Sequence, residues 1–132
     1  MDAFFYGLFM DAALLRAKGL HPANERRAAV RGMALRIGKR ATLAPAPDGI
    51  VHGVVMSLPE AELRVLYGEA SVADYRPETV TAELAAGCSV PALCYNLPPG
   101  GEPVEPNPAY AAELKALARR LGLPADYIDS IR

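Results

Sequence analysis

The residues best suited to chemistry in this sequence are one carboxylate and a set of phenols. Glu69 follows a run in which Leu63, Leu66 and Tyr67 fall at i, i+3 and i+4, the spacing of one apolar helical face. Gly68 is expected to take the left-handed conformation that ends such a helix. Glu69 then stands at the negative end of the helix dipole, where a carboxylate is electrostatically disfavoured, and this marks it as a candidate acid or base. Tyr6, Tyr75, Tyr95 and Tyr110 lie at the predicted ends of strands or at the start of a helix. Phenols at such positions can hold a polar ligand against an apolar wall, although each taken singly is better explained by core packing.

Other chemistries find less support. His21 and His52 stand alone, and Cys88 and Cys94, six residues apart, do not have the spacing of a zinc site. If both cysteines lie in one extended strand they are too far apart to bridge, so two buried, reduced thiols are expected. The chain has neither a glycine-rich phosphate loop nor a nucleophile elbow. No metal and no cofactor is expected.

The bulk composition agrees. The 132 residues carry a formal charge of −1, with 52% apolar and 22% charged residues, which suits one globular domain of ordinary composition. A nucleic-acid surface would show as a basic excess, so no nucleic-acid partner is expected. No run reaches the ~18 apolar residues of a membrane span, and Met1 to Leu15, interrupted by Asp2 and Asp11, reads as a core strand and a helix rather than a targeting segment. A cytoplasmic protein is the expectation.

The elements that must position these groups are legible in order. Ala3 to Tyr6 is a buried strand stopped by Gly7, and Asp11 caps a helix over Ala12 to Lys18 that ends at Gly19. Arg26 to Ile37 reads as a strand, Pro45 to Gly49 as a turn, and Ile50 to Met56 as a strand buried on both faces. Ser57-Leu58-Pro59-Glu60 has the capping-box pattern and predicts the start of the helix that carries Leu63 to Tyr67. Arg76 to Leu84 alternates as a half-exposed strand, Ala85 to Gly87 turns, and Cys88 to Leu97 returns as its hairpin partner with Pro91 at an edge or a bulge. Asn96 to Pro108 is a proline-rich surface loop. Asn107 then caps a long helix with Leu114, Leu117, Ala118 and Leu121 inward and Gly122 as its stop, and a short helix over Pro124 to Ile131 buries Tyr127, Ile128 and Ile131.

Taken in order, these motifs resemble the gamma-glutamylcyclotransferase and AIG2-like family over roughly the full chain. Phe5-Tyr6-Gly7-Leu8-Phe9-Met10 occupies the place of that family's Tyr-Gly-Ser-Asn-Leu or Tyr-Gly-Thr-Leu-Met loop. Gly53-Val54-Val55, the Leu-rich helix, Glu69 and Tyr75 follow as the family's strand, helix, glutamate and tyrosine. Tyr95, the Pro98 to Pro103 stretch, Pro106-Asn107-Pro108-Ala109-Tyr110, then Gly122-Leu123-Pro124 with Tyr127, match its closing pattern.

The resemblance implies an α+β fold, a mixed β-barrel with flanking helices, and the local reading of five to seven strands and three or four helices agrees with it. It implies that Glu69 acts as general acid and base in cyclising a gamma-glutamyl amino acid or amine to 5-oxoproline. Tyr6, Gly7, Leu8, Phe9 and Met10 would hold the substrate, the loop through its backbone amides, and Tyr75, Tyr95 and Tyr110 would orient and cover it. Leu8 stands where the family usually has Ser or Thr. That departure keeps open the alternative of a small-molecule binding module on the same fold without turnover.

Overall fold

The computed structural model describes residues 1–100 and 106–132, so part of the proline-rich segment expected as a surface loop lies outside the described residues. Among the described residues five strands close into a barrel: β1 (Asp2–Phe5), β2 (Ala23–Ile37), β3 (Ala41–Ser57), β4 (Arg76–Leu84) and β5 (Ser89–Asn96), in the order β1-β3-β2-β4-β5. All neighbours are antiparallel except β1 and β5, which meet in parallel at Ala3 and Leu93 and make the barrel mixed. Four helices flank it: α1 (Ala12–Ala17), α2 (Glu60–Leu66), α3 (Pro108–Leu121) and α4 (Ala125–Ser130). No helix among the described residues is long and apolar enough to cross a membrane.

The core follows the apolar periodicities. Phe4, Val54, Val55 and Met56 come from the paired β1 and β3, Leu15 from α1, Leu63 and Leu66 from α2, and Leu114 from α3, each essentially without solvent contact. Helix ends form where the sequence places good caps. The Asp11 carboxylate accepts from the amides of Ala13 and Leu14, and the Asn107 side chain accepts from the amide of Tyr110. Gly122 closes α3 in the left-handed region at φ 75°. The alternation in β4 and β5 pairs eight residues from Arg76↔Asn96 to Glu83↔Ser89. Pro91 lies in β5 away from the single β1 pairing at Leu93, where its missing amide costs no ladder bond on that side.

Four local expectations fail, each for a physical reason. Pro45 to Gly49 is not a turn but the middle of β3, and Pro45 pairs with Met33 of β2. Among the described residues β1 covers β3 only from Val54 to Ser57, so at Pro45 the strand is an edge that tolerates a residue without a donor. The turn lies instead at Gly38 to Arg40, where the Gly38 amide donates to the Arg40 carbonyl over 3.1 Å. The Ser57 to Glu60 capping box does not form, because Ser57 ends β3 and its hydroxyl donates to Asp2 at 2.7 Å, while Glu60 pairs with Arg64. Gly68 is not left-handed: its lack of a Cβ admits the Arg64 carbonyl, which a Cβ would meet at 2.9 Å. Cys94 is buried as expected but Cys88 is exposed, since it lies just outside β5 in the hairpin turn; both thiols are free.

Long-range polar contacts fix the end of the barrel where the candidate residues gather. The side-chain carbonyl of Asn96, a buried polar residue at the end of β5, accepts from the Leu43 amide on β3, and its amide nitrogen donates to Glu78 on β4 at 2.9 Å. The tip of the β2–β3 hairpin is tied on one side by Asn107, which donates to the Gly38 carbonyl at 2.9 Å. On the other side Arg40 makes two parallel hydrogen bonds to the Asp74 carboxylate, at 2.7 and 2.8 Å, and a third to the Ser71 carbonyl. Bidentate guanidinium–carboxylate pairing of this kind sets orientation as well as energy.

Candidate active site

One cavity of about 260 Å³ opens at this end of the barrel. Its floor comes from the end of β1 and the turn of 3-10 helix over Leu8–Met10; its walls come from the hairpin tip, the exit of α2, the residues before β4, Tyr95 of β5 and Tyr110 in the first turn of α3. Tyr6, Gly7, Leu8, Phe9, Tyr75, Tyr95 and Tyr110 all line it. Seven of the residues marked in the sequence therefore converge from four separate segments of the chain.

The aromatic side chains form a continuous wall. Tyr67 stacks on Tyr95 with ring centroids 3.8 Å apart and planes 7° from parallel, meets Phe9 edge-on at 5.9 Å, and touches Tyr75 at 6.2 Å. Such pairs contribute roughly 0.5–1.5 kcal/mol each beyond their buried area and hold the ring planes in place. Two of the hydroxyls are spent on the scaffold. Tyr6 donates to the Tyr95 carbonyl at 2.8 Å, and Tyr75 donates to the Ala41 carbonyl. Gly7 lets the Tyr110 side chain come close, because a Cβ there would lie 2.9 Å from the Tyr110 hydroxyl.

Burial makes these phenols weaker acids, and this limits their roles. Tyr6 and Tyr67 are pushed well above the usual phenol range, and Tyr95 and Tyr110 are raised too, in each case chiefly by loss of solvent. A hydrogen bond with the Leu8 backbone works the other way at Tyr110. At neutral pH all four are neutral hydroxyls, unfit to serve as bases. Burial likewise pushes the Cys94 thiol up to about 12, and the Asn96 side chain only partly offsets this, so Cys94 is no nucleophile at neutral pH.

Two marked residues are placed differently. Met10 is buried in the core, and its amide donates to the Gly7 carbonyl at 3.0 Å to close the 3-10 turn, so neither its side chain nor its amide is offered to the cavity. Glu69 is not among the residues lining the cavity; it stands three residues before Val72, a lining residue whose amide donates to the Glu69 carbonyl at 3.0 Å. Its carboxylate is held by Lys18 of the α1 C-cap, with both oxygens within 2.9 and 3.2 Å of Nζ, and the ammonium lies 5.9 Å from the Phe9 ring. Neither histidine reaches the cavity: His21 pairs with Glu62, and His52 packs edge-on against Tyr127.

Sequence reading missed Tyr67 and Arg40 as lining residues. Tyr67 belongs to the apolar face of α2 by spacing, and its place as the last residue of that face, next to Gly68-Glu69, was the available signal. Arg40 had none until the hairpin tip was located. It lines the cavity with its guanidinium 5.3 Å from the Tyr75 ring, and its hydrogen bonds hold the Asp74 carboxyl down at about 2.

The comparisons fit this geometry. A family model described as "Gamma-glutamyl cyclotransferase, AIG2-like" matches residues 3–113. Among solved structures the chain is similar to one titled gamma-glutamyl cyclotransferase, with TM-score 0.82 and 20% identity over 100% of this chain and 88% of that one. It is also similar to an uncharacterised protein from Homo sapiens, with TM-score 0.81 and 21% identity over 99% and 87% of the two chains. A yeast gamma-glutamyl cyclotransferase specific to glutathione gives TM-score 0.71 and 14% identity over 99% and 93%. At these identities the structural likeness carries the fold. No curated protein matches the chain significantly.

Proposed function

The chain belongs to the gamma-glutamyl cyclotransferase, AIG2-like family, and on that premise we propose that it cyclises a gamma-glutamyl amino acid or amine to 5-oxoproline, with Glu69 as the proton carrier. The observation that supports the reading most is the convergence of Tyr6, Gly7, Leu8, Phe9, Tyr75, Tyr95 and Tyr110 on one cavity, with Glu69 in the turn that leads into the lining residues Ser71 and Val72.

Glu69 removes a proton from the substrate α-ammonium. The freed amine attacks the γ-carbonyl carbon, a new C–N bond closes the five-membered lactam, and the bond from that carbon to the leaving nitrogen breaks. The lactam nitrogen sheds its second proton to water, and the leaving nitrogen takes up the first from Glu69 to depart as the amine. Because attack is intramolecular, the site needs to fold the substrate and carry a proton and little else. Backbone amides of the Gly7 to Phe9 turn suit the substrate carboxylate, and neutral phenols suit the γ-carbonyl region.

Lys18 has a place in this scheme as a stand-in. Its ammonium occupies, beside Glu69, the position that the substrate α-ammonium takes, and substrate entry exchanges one cation for the other. The rival reading, binding without turnover, draws on the same contact, since a carboxylate tied to Lys18 is not aimed at the cavity. Incubation with a panel of gamma-glutamyl amines and amino acids, following 5-oxoproline, separates the two. Glu69→Gln is expected to lower kcat by roughly 10²–10⁴-fold, the usual worth of a general base, with an unchanged fold. A Gln variant as active as the parent chain removes Glu69 from the mechanism.

A further inference from the structure

We propose that Arg40 is a positioning residue for the proton carrier: from the tip of the β2–β3 hairpin it grips the two turns that carry Glu69 and so keeps the carboxylate within reach of the substrate amine. This deepens the cyclotransferase reading and rests on it.

Residues 69–75 belong to no helix or strand. Their path is set by two consecutive turns, closed where the Val72 amide donates to the Glu69 carbonyl at 3.0 Å and the Tyr75 amide to the Val72 carbonyl at 3.1 Å. Ala70, Ser71, Ala73 and Asp74 are exposed, so water competes for the polar groups of both turns. Arg40 grips each turn once. Its guanidinium donates to the Ser71 carbonyl at 2.7 Å in the first, and to both carboxylate oxygens of Asp74 at 2.7 and 2.8 Å in the second. The planar fork fixes direction as well as distance, which an ammonium does not. The next residue adds another hold, since the Ala41 carbonyl accepts from the Tyr75 hydroxyl. The support is itself anchored, because Asn107 at the start of α3 donates to the Gly38 carbonyl in the same hairpin tip. Lys18 meets the Glu69 carboxylate, whereas the Arg40 contacts act on the backbone that delivers it. Transfer of a proton demands hydrogen-bond reach, and a misplacement of about 1 Å costs up to ~10²-fold in rate. Asp74 does not line the cavity, which separates the holding of Arg40 from contact with substrate.

The test follows 5-oxoproline release by the full chain, by Arg40→Lys, by Asp74→Asn and by the double variant, with the panel compound that the parent chain turns over fastest. Arg40→Lys keeps the cation and loses the fork. Each single variant is expected to lose roughly 10- to 100-fold in kcat, with KM within about twofold of the parent value. The double variant is expected to be no worse than the poorer single one, because both changes open the same clasp. Amide exchange at Val72 and Tyr75 is expected to rise in both, with the thermal unfolding midpoint little changed. Parent-like kcat in either single variant overturns the proposal and leaves the cyclotransferase reading standing. A loss confined to KM does the same, since it assigns Arg40 to substrate binding, and so does a multiplied loss in the double variant. A loss of kcat that tracks a fall in Tm and vanishes at lower temperature marks a structural role and also overturns it. Should Arg40→Lys fail to fold, Asp74→Asn, a near-isosteric change at an exposed residue, decides by itself. If the parent chain releases no 5-oxoproline from any member of the panel, the cyclotransferase reading fails and the proposal falls with it.

Discussion

Gly53→Ala is expected to destabilise the barrel severely, although it adds a single methyl group. Gly53 lies on β3 opposite Ala28 of β2 and beside the end of β1. A Cβ there would sit 2.2 Å from the Phe5 carbonyl oxygen and 2.9 Å from Cζ of Phe4. Ordinary non-bonded contact begins near ~3.5 Å, so β1 and β3 would have to separate by roughly 1.3 Å. Neither can give easily, because Phe4 and Phe5 are both 2% exposed and Val54 is fully buried. Overpacking of this kind costs about 1–3 kcal/mol, and loss of one or two ladder hydrogen bonds adds about 1 kcal/mol each, for a total near 3 kcal/mol. At roughly 4 °C per kcal/mol for a domain of this size, Tm falls by about 12 °C. The opposite sign is also physically available, since Gly→Ala without strain stabilises by about 0.4–1 kcal/mol through the unfolded chain. Thermal unfolding followed by circular dichroism decides, and a Tm equal to or above that of the parent chain refutes the close-approach argument. Gly7→Ala is the internal contrast. There the obstructing atom is the tip of Tyr110 at 2.9 Å, so stability is expected to change by no more than about 1 kcal/mol while KM rises as the hydroxyl is displaced.

Further outcomes follow from the ion pairs of Glu69 and Asp74. Lys18→Met is expected to lower KM by roughly two- to fivefold with little change in kcat, because a half-exposed pair of this kind is worth only about 0.2–1 kcal/mol and its removal leaves Glu69 open to the substrate ammonium; a raised KM in steady-state kinetics defeats the stand-in role. The Asp74 carboxyl is held at about 2, below its ordinary 3.8, foremost by its hydrogen bond with Arg40. With the folded value depressed, its contribution is complete above pH 3.8 and is lost as pH falls towards 2. Amide exchange in residues 69–75 is therefore expected to accelerate over that window, and Asp74→Asn should abolish the pH-dependent part; identical profiles for the two chains contradict the Arg40 clasp.

Much of the fold was written in short-range patterns. The alternation of Arg76 to Leu84, the caps at Asp11 and Asn107, the stop at Gly122 and the apolar spacing of Leu114, Leu117 and Ala118 each describe groups within a few residues of one another, and each appears in the structure as read. The order of the Tyr-Gly loop, Glu69, Tyr75, Tyr95 and the Pro-x-Pro-x-Tyr helix start was enough to point to the family. Local signals failed where a distant partner competed for the same atoms. The Ser57 hydroxyl, suited to a helix cap, is taken by Asp2 from 55 residues away, and Pro45 could stay in a strand because no third strand covers it. Arg40 reached the cavity only when the β2–β3 hairpin closed and Asp74, 34 residues on, fixed its guanidinium. Tertiary structure alone set Glu69 against Lys18, 51 residues earlier, and so gave the carboxylate a partner. Sequence spacing fixes which face of a helix or strand a residue occupies, whereas ion pairs and ring stacks between remote segments depend on the closed barrel that brings them within reach.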